Sequence, residues 1–334
     1  MSSSTNDAGN NAGNRKLDLP GPIAFVMGGG ASLGAAQVGM LQALSEYAVQ
    51  PDLIVGTSVG ALNGAFLASD PAGGANRLSH IWPTITKEQI FPGSPWKSLR
   101  TLRLDKPHLY TNDGLAKFID AHLPMDDLED LKIPFAAMAT DVDTGAAVAL
   151  DSGPAKSALL ASAAMPGFLP GVEHEGRLLY DGGLVAKLPI GQALSMGAAT
   201  LVLLDCTFPG QPAPRPTNLW QVMEWSISLT QNSQARAALP FVPADVPVIY
   251  LPGPPRADFS HLELDHTSEL ISGAYEPSRR YLKMAVDDPD LIAGACSGDA
   301  SWVGQVAVFR TIFGTMTVNI RAITEIKVNT TKAG

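Results

Sequence analysis

Cysteine and histidine are scarce in this chain. Cys206 and Cys296 are the two cysteines among 334 residues. They are too few for a disulfide framework and lack the paired spacing of a zinc site, so both read as reduced thiols. Six histidines are present, and none has a neighbourhood that marks it as a base. Cations are outnumbered, with 23 Lys and Arg against 32 Asp and Glu and a net charge of −9. That balance argues against nucleic acid as a partner. No apolar run reaches the about 18 residues of a membrane-spanning helix. Met1 to Asn14, rich in Ser, Asn and Gly, lacks the apolar core of a secretory signal. The expectation is a cytoplasmic protein whose residues 1–19 form a flexible polar arm. The acidic run Asp126-Asp127-Leu128-Glu129-Asp130 fixes no ligand geometry and reads as a solvated helix start or loop rather than a metal site.

What is present is apolar material. Hydrophobic residues make up 46% and charged residues 16% of the chain, which suits a globular protein with a sizeable core. Ile23-Ala24-Phe25-Val26-Met27 reads as a strand buried on both faces. It runs into Gly28-Gly29-Gly30-Ala31-Ser32-Leu33-Gly34, where small residues let backbone N–H groups approach a bound oxygen. A helix follows, with Val38, Leu41 and Leu44 on one stripe. The strand Asp52-Leu53-Ile54-Val55 then enters Gly56-Thr57-Ser58-Val59-Gly60, and a second helix carries Ala61, Leu62 and Phe66. A GxSxG between a buried strand and an apolar-striped helix is a nucleophile elbow by pattern. Its glycines are needed because larger residues would strike the adjoining strand and helix. Ser58 is therefore a candidate nucleophile.

Downstream, residues 69–113 are punctuated by Gly73-Gly74 and several prolines and carry Trp82, Ile85, Ile90, Phe91, Trp96 and Tyr110. They read as an irregular excursion of the lid or acyl-pocket kind. Helices are expected over 114–123, 157–165, 220–238 and 270–286. Strands are expected over 135–140, 146–150, 177–180, 201–205 and 248–251, the first two forming a hairpin across Asp141 to Gly145. The catalytic domain is placed at 20–286. Residues 287–334 are expected to be a β-rich extension, within which residues 306–328 carry Arg310, Arg321 and Lys327 against the single acid Glu325.

A serine hydroxyl needs a group to take its proton. Two arrangements compete. A Ser–Asp–His order would use His261 or His266, but the α/β-hydrolase fold places several strands ahead of its elbow, and about two fit here. The other is a serine–aspartate pair using Asp181 of Tyr180-Asp181-Gly182-Gly183. A dinucleotide site is disfavoured, because Val55-Gly56-Thr57 stands where an acid should hold ribose.

Four ordered motifs now bear on that choice: the glycine loop with its GTSVG elbow; Thr140-Asp141-Val142-Asp143-Thr144-Gly145; Ala161-Ser162-Ala163-Ala164-Met165-Pro166-Gly167; and Asp181-Gly182-Gly183 followed by Leu188-Pro189. Together they resemble the patatin-like phospholipases, a family of lipid acyl hydrolases. The resemblance runs over about residues 22–199, with a looser match near 259–281. It implies an α/β three-layer sandwich with a mostly parallel central sheet flanked by helices. It also implies Ser58 as nucleophile, Asp181 as general base, and Gly29 and Gly30 as oxyanion-hole donors, with no metal and no organic cofactor. Fatty acyl esters or phospholipids would be the substrates, met in transient contact with a membrane surface. A lipid-binding or scaffolding protein on the same fold is the non-catalytic alternative. The chain departs from the family pattern in two places. Leu33 falls where the loop commonly has Arg or Lys, if Ala31 takes the third glycine's place; otherwise the loop has one extra residue. Ala186 and Lys187 replace the asparagines usual after the DGG turn.

Overall fold

The computed structural model describes residues 17–92, 107–123, 125–207, 215–254, 263–288 and 292. The chain alternates between strand and helix at first: β1 (Ile23–Met27), α1 (Ala35–Glu46), β2 (Leu53–Thr57), α2 (Val59–Ser69). Three helices follow, α3 (Gly74–Ile81), α4 (Lys87–Ile90) and α5 (Asp113–His122), and then the hairpin β3 (Phe135–Asp141) and β4 (Ala147–Leu150). The remainder is α6 (Ala155–Ser162), β5 (Val172–His174), β6 (Arg177–Asp181), α7 (Ile190–Ser195), β7 (Thr200–Leu204), α8 (Leu219–Ala238), β8 (Val248–Tyr250) and α9 (Thr267–Asp287).

These strands make one mixed sheet in the order β5-β6-β3-β2-β1-β7-β8, with β4 paired to β3. The pairings β3-β2, β2-β1, β1-β7 and β7-β8 are parallel, while β4, β5 and β6 join antiparallel. The residues explain the arrangement. β2, β3 and β7 are buried at every position, as continuous apolar runs covered on both faces by helices must be. α1 and α9 approach closely at Gly39, where a Cβ would stand 2.0 Å from the carbonyl oxygen of Ile271.

Register along β3 brings two distant segments end to end. Ala137 pairs with Gly56 of β2 and with Leu150 of β4, so those strands flank β3 on opposite edges. Ala139 pairs with Val148 of β4 and with Asp181 of β6. β6 therefore shares an edge of β3 with β2 and continues where β2 stops. Thr57 faces Met138, and on the next residue Asp181 faces Ala139.

The α/β architecture and the mostly parallel sheet are as the sequence indicates. Differences arise where punctuation was read as irregularity. α3 and α4 occupy part of the 69–113 excursion, because Gly73 and Thr86 begin helices there; Thr86 closes a capping box with Gln89. β5 and α7 were not anticipated. Of the expected arm, residues 17–19 instead join the fold, since Leu17 is buried in the core and Leu19 packs against it, and residues 1–16 lie outside the described residues. Most of the 287–334 segment lies outside the described residues, as does Cys296. Among the described residues, no helix is long and apolar enough to cross a membrane.

Candidate active site

β2 stops at Thr57 and α2 begins at Val59, so Ser58 alone makes the turn, at φ 56° and ψ −125°. A positive φ in a residue other than glycine costs about 1–3 kcal/mol and persists only where the surroundings impose it. Here they do. A Cβ at Gly56 would lie 2.5 Å from the carbonyl oxygen of Gly60, and one at Gly60 would lie 2.2 Å from that of Met27. Both obstacles are backbone and cannot turn aside. Gly60→Ala is expected to destabilise the protein by about 3 kcal/mol, read from urea unfolding; an unchanged midpoint would contradict this packing. The elbow is also tied laterally. Ser58 N–H donates to Ser162 Oγ at 2.9 Å, and Ser162 Oγ donates to the Met138 carbonyl at 2.6 Å.

Asp181 closes β6 beside this turn. Its carboxylate Oδ1 accepts the Gly183 N–H at 2.7 Å, and its carbonyl accepts Thr140 Oγ1 at 2.9 Å. Burial pushes its pKa up to about 6, against the opposing pull of hydrogen bonds from the Ser58 hydroxyl and Gly183 N–H. Desolvation dominates because the charged form has lost its water. The structure thus brings Ser58 and Asp181 to one cavity, where the serine hydroxyl lowers the carboxyl pKa.

The glycine loop corrects one expectation. Gly29 N–H donates to the Lys187 carbonyl at 3.0 Å, and Gly28 N–H donates to the Leu204 carbonyl at 3.0 Å. Gly29 is therefore not available as an oxyanion donor. It serves by close approach instead, since a Cβ there would be 3.3 Å from Ser58 Cβ. The turn after it, residues 31–34, is a short 3₁₀ helix whose Leu33 N–H meets the Gly30 carbonyl at 3.1 Å. The N–H groups of Gly30 and Ala31 precede that bond and have no partner within the helix. Ala31 has φ 50°, a glycine-like conformation that fits the register placing it in the third glycine's place.

Above these groups lies a cavity of about 120 Å³, lined by Ala31, Ser58 and Asp181 on its polar side. Its apolar wall includes Phe66, Leu78, Trp82, Ile85, Ile90, Phe91, Phe118 and Phe168. Several of these come from the described part of the 69–113 excursion. Asn63 also faces the cavity, but its amide is committed to the fold. Asn63 Nδ2 donates to Gln37 Oε1 at 2.8 Å, and Asn63 Oδ1 accepts Trp82 Nε1 at 2.9 Å. Gln37 Nε2 in turn reaches the carbonyls of Gly28 and Leu204, both at 2.9 Å. Sequence reasoning missed Gln37, Asn63 and Ser162 as supports. The small-residue stretch around Ser162 was the one signal available.

Among the described residues, no histidine lines the cavity. His266 sits at the start of α9 with Glu263 at 4.0 Å and Glu269 at 3.4 Å, and His261 lies outside the described residues.

Comparison with known proteins decides the family. The model for patatin-like phospholipases matches residues 25–194. The chain belongs to the patatin-like phospholipase family. Patatin-like phospholipase domain-containing protein 7 of Mus musculus is 33% identical over 187 residues, covering 55% of this chain and 13% of that protein. An uncharacterised NTE family protein of Mycobacterium bovis is 33% identical over 218 residues, covering 64% of this chain and 57% of that protein. The chain thus spans a small part of the mouse relative and over half of the mycobacterial one. The crystal structure of VipD from Legionella pneumophila overlays with a TM-score of 0.43 at 13% identity, covering 79% of this chain and 67% of that one.

Proposed function

We propose that this patatin-like protein is a serine lipid acyl hydrolase of the esterase or phospholipase A type, using Ser58 and Asp181 as a dyad. The observation that carries the reading is a fully buried carboxylate, its pKa raised to about 6, lining the same cavity as the Ser58 hydroxyl that pulls that pKa back down. A carboxylate of ordinary pKa is a poor acceptor for an alcohol proton, and raising it narrows that mismatch. In the forward step Asp181 takes the Ser58 proton as Oγ bonds to the ester carbonyl carbon. The carbonyl π electrons move to its oxygen, which the N–H groups of Gly30 and Ala31 receive. Collapse of the tetrahedral intermediate breaks the bond to the alcohol, which leaves with the proton held by Asp181. Water then repeats the sequence on the acyl-enzyme and frees the acid. Each donor of an oxyanion hole is worth about 3 kcal/mol.

The apolar cavity suits a fatty acyl chain, and the exposed surface suggests how a lipid arrives. Seven of the nine large apolar side chains exposed among the described residues are Leu184, Val185, Val222, Met223, Trp225, Leu229 and Phe241. They belong to α8 with its C-terminal turn and to the loop following Asp181, which Gln234 joins by donating to the Leu184 carbonyl at 2.6 Å. With a net charge of −9, docking onto a membrane or micelle would be apolar rather than electrostatic.

The test is hydrolysis of a p-nitrophenyl ester series and of phospholipid and lysophospholipid micelles. The expected result is turnover that survives His261→Ala and His266→Ala. Activity should rise as pH increases through about 6, where Asp181 loses its proton. Loss of turnover in the histidine variants would favour the triad. No hydrolysis of any ester would favour the lipid-binding alternative.

A further inference from the structure

Lys187 stands where the family motif usually has asparagine, and it is 2% exposed. Its Nζ lies 3.0 Å from Asp205 Oδ1, in an ion pair with both side chains buried. It also donates to Thr207 Oγ1 at 2.6 Å and to Asn232 Oδ1 of α8 at 2.7 Å. Tyr250 OH satisfies Asp205 Oδ2 at 2.9 Å. A lysine held this way has a fixed main chain, and that main chain grips both candidate catalytic loops. The Lys187 carbonyl receives Gly29 N–H at 3.0 Å, and the Ala186 carbonyl receives Thr57 Oγ1 at 2.7 Å. Gly29 directly precedes the free amides, and Thr57 directly precedes the nucleophile. Asp205 is close as well, its Oδ1 3.2 Å from where a Cβ at Gly28 would be. Unpaired, that negative charge would sit behind amides meant for an oxyanion.

Taking the acyl-transfer reading as given, we propose that Lys187 is a positioning residue for the reaction. Paired with Asp205, it braces residues 186–187 so that the glycine loop and the elbow keep their spacing. It also neutralises the carboxylate behind the loop.

The test compares wild type with Lys187→Met and with Lys187→Met/Asp205→Leu, the double variant leaving no lone buried charge. For the double variant, KM for p-nitrophenyl butyrate should stay within about twofold and melting within a few degrees. Its kcat should fall about 10–100-fold, with faster hydrogen exchange in the peptide covering residues 28–34. Lys187→Met alone should lose more, because Asp205 is then unpaired. A double variant with wild-type kcat and exchange would overturn the proposal. If the double variant does not fold, Asn232→Ala removes one of the three partners from the flank; a severalfold fall in kcat at constant KM supports the brace, and unchanged kcat and exchange overturn it. A wild type lacking ester hydrolysis would remove the acyl-transfer reading instead, and the exchange measurement would still decide whether Lys187 fixes the loop.

Discussion

Ser58→Ala should lower turnover of a p-nitrophenyl ester by about 10⁵–10⁶-fold, the scale seen when a hydroxyl nucleophile is deleted from a preorganised serine hydrolase. The change removes the atom proposed to bond to the acyl carbon and leaves the surrounding scaffold in place. Alanine must adopt the same φ of 56°, but the forces that impose it come from the backbone around Gly56 and Gly60, not from the hydroxyl. The variant should therefore fold. A second consequence is electrostatic. The Ser58 hydroxyl holds the pKa of Asp181 down, so in the variant Asp181 should titrate above its parent value. An NMR titration of the labelled carboxyl would show this as a midpoint higher than that of wild type. Residual turnover within tenfold of wild type would assign the chemistry to another group.

Asp181→Asn should lower turnover by about 10³–10⁴-fold and yet stabilise the protein at neutral pH. The two effects share one cause. Burial raises the folded-state pKa of Asp181 from 3.8 to about 6, so between those values the native state binds more protons than the unfolded state. Stability from this group is complete below about 4 and is lost as pH rises through about 6. At 1.36 kcal/mol per pKa unit the loss amounts to about 3 kcal/mol. Asparagine keeps an acceptor for the Gly183 N–H and never ionises. Chemical unfolding should thus show a gain approaching that figure at pH 7.5 and almost none at pH 4. Equal stability of the two proteins at both pH values would mean that the carboxylate is not strained by burial. Stability forgone at a buried carboxylate is what the proposed catalytic role of Asp181 would require.

Much of this arrangement was legible in the residues. The elbow could be read because its demands are local: a buried strand, a glycine two residues either side of the serine, and an apolar helix. Asp181 was legible only through the order of several motifs, since an Asp-Gly-Gly alone is an ordinary turn. What brings it to Ser58 is the pairing of β2 and β6 along one edge of β3, which no local pattern encodes. Gly29 was misread for a related reason. A glycine loop announces free amides, but which amide is free depends on the Lys187 carbonyl, contributed by a segment far along the chain. The braces around the site share that character. Thr57 meets the Ala186 carbonyl across 129 residues, and Gln37 meets that of Leu204 across 167. Gln37, Asn63 and Lys187 are polar residues whose burial and partners exist only once the sheet is assembled. A polar side chain read in sequence looks solvated unless its setting is known.

Direct activation of Ser58 by Asp181 can be read with a fluorophosphonate probe, using tryptic mass spectrometry to locate the adduct and a time course to give its rate. One adduct per chain is expected, on the peptide containing Ser58. Its rate should fall in Asp181→Asn about as far as turnover does and be unchanged in His266→Ala. Labelling at another residue, or at an undiminished rate in Asp181→Asn, would contradict it.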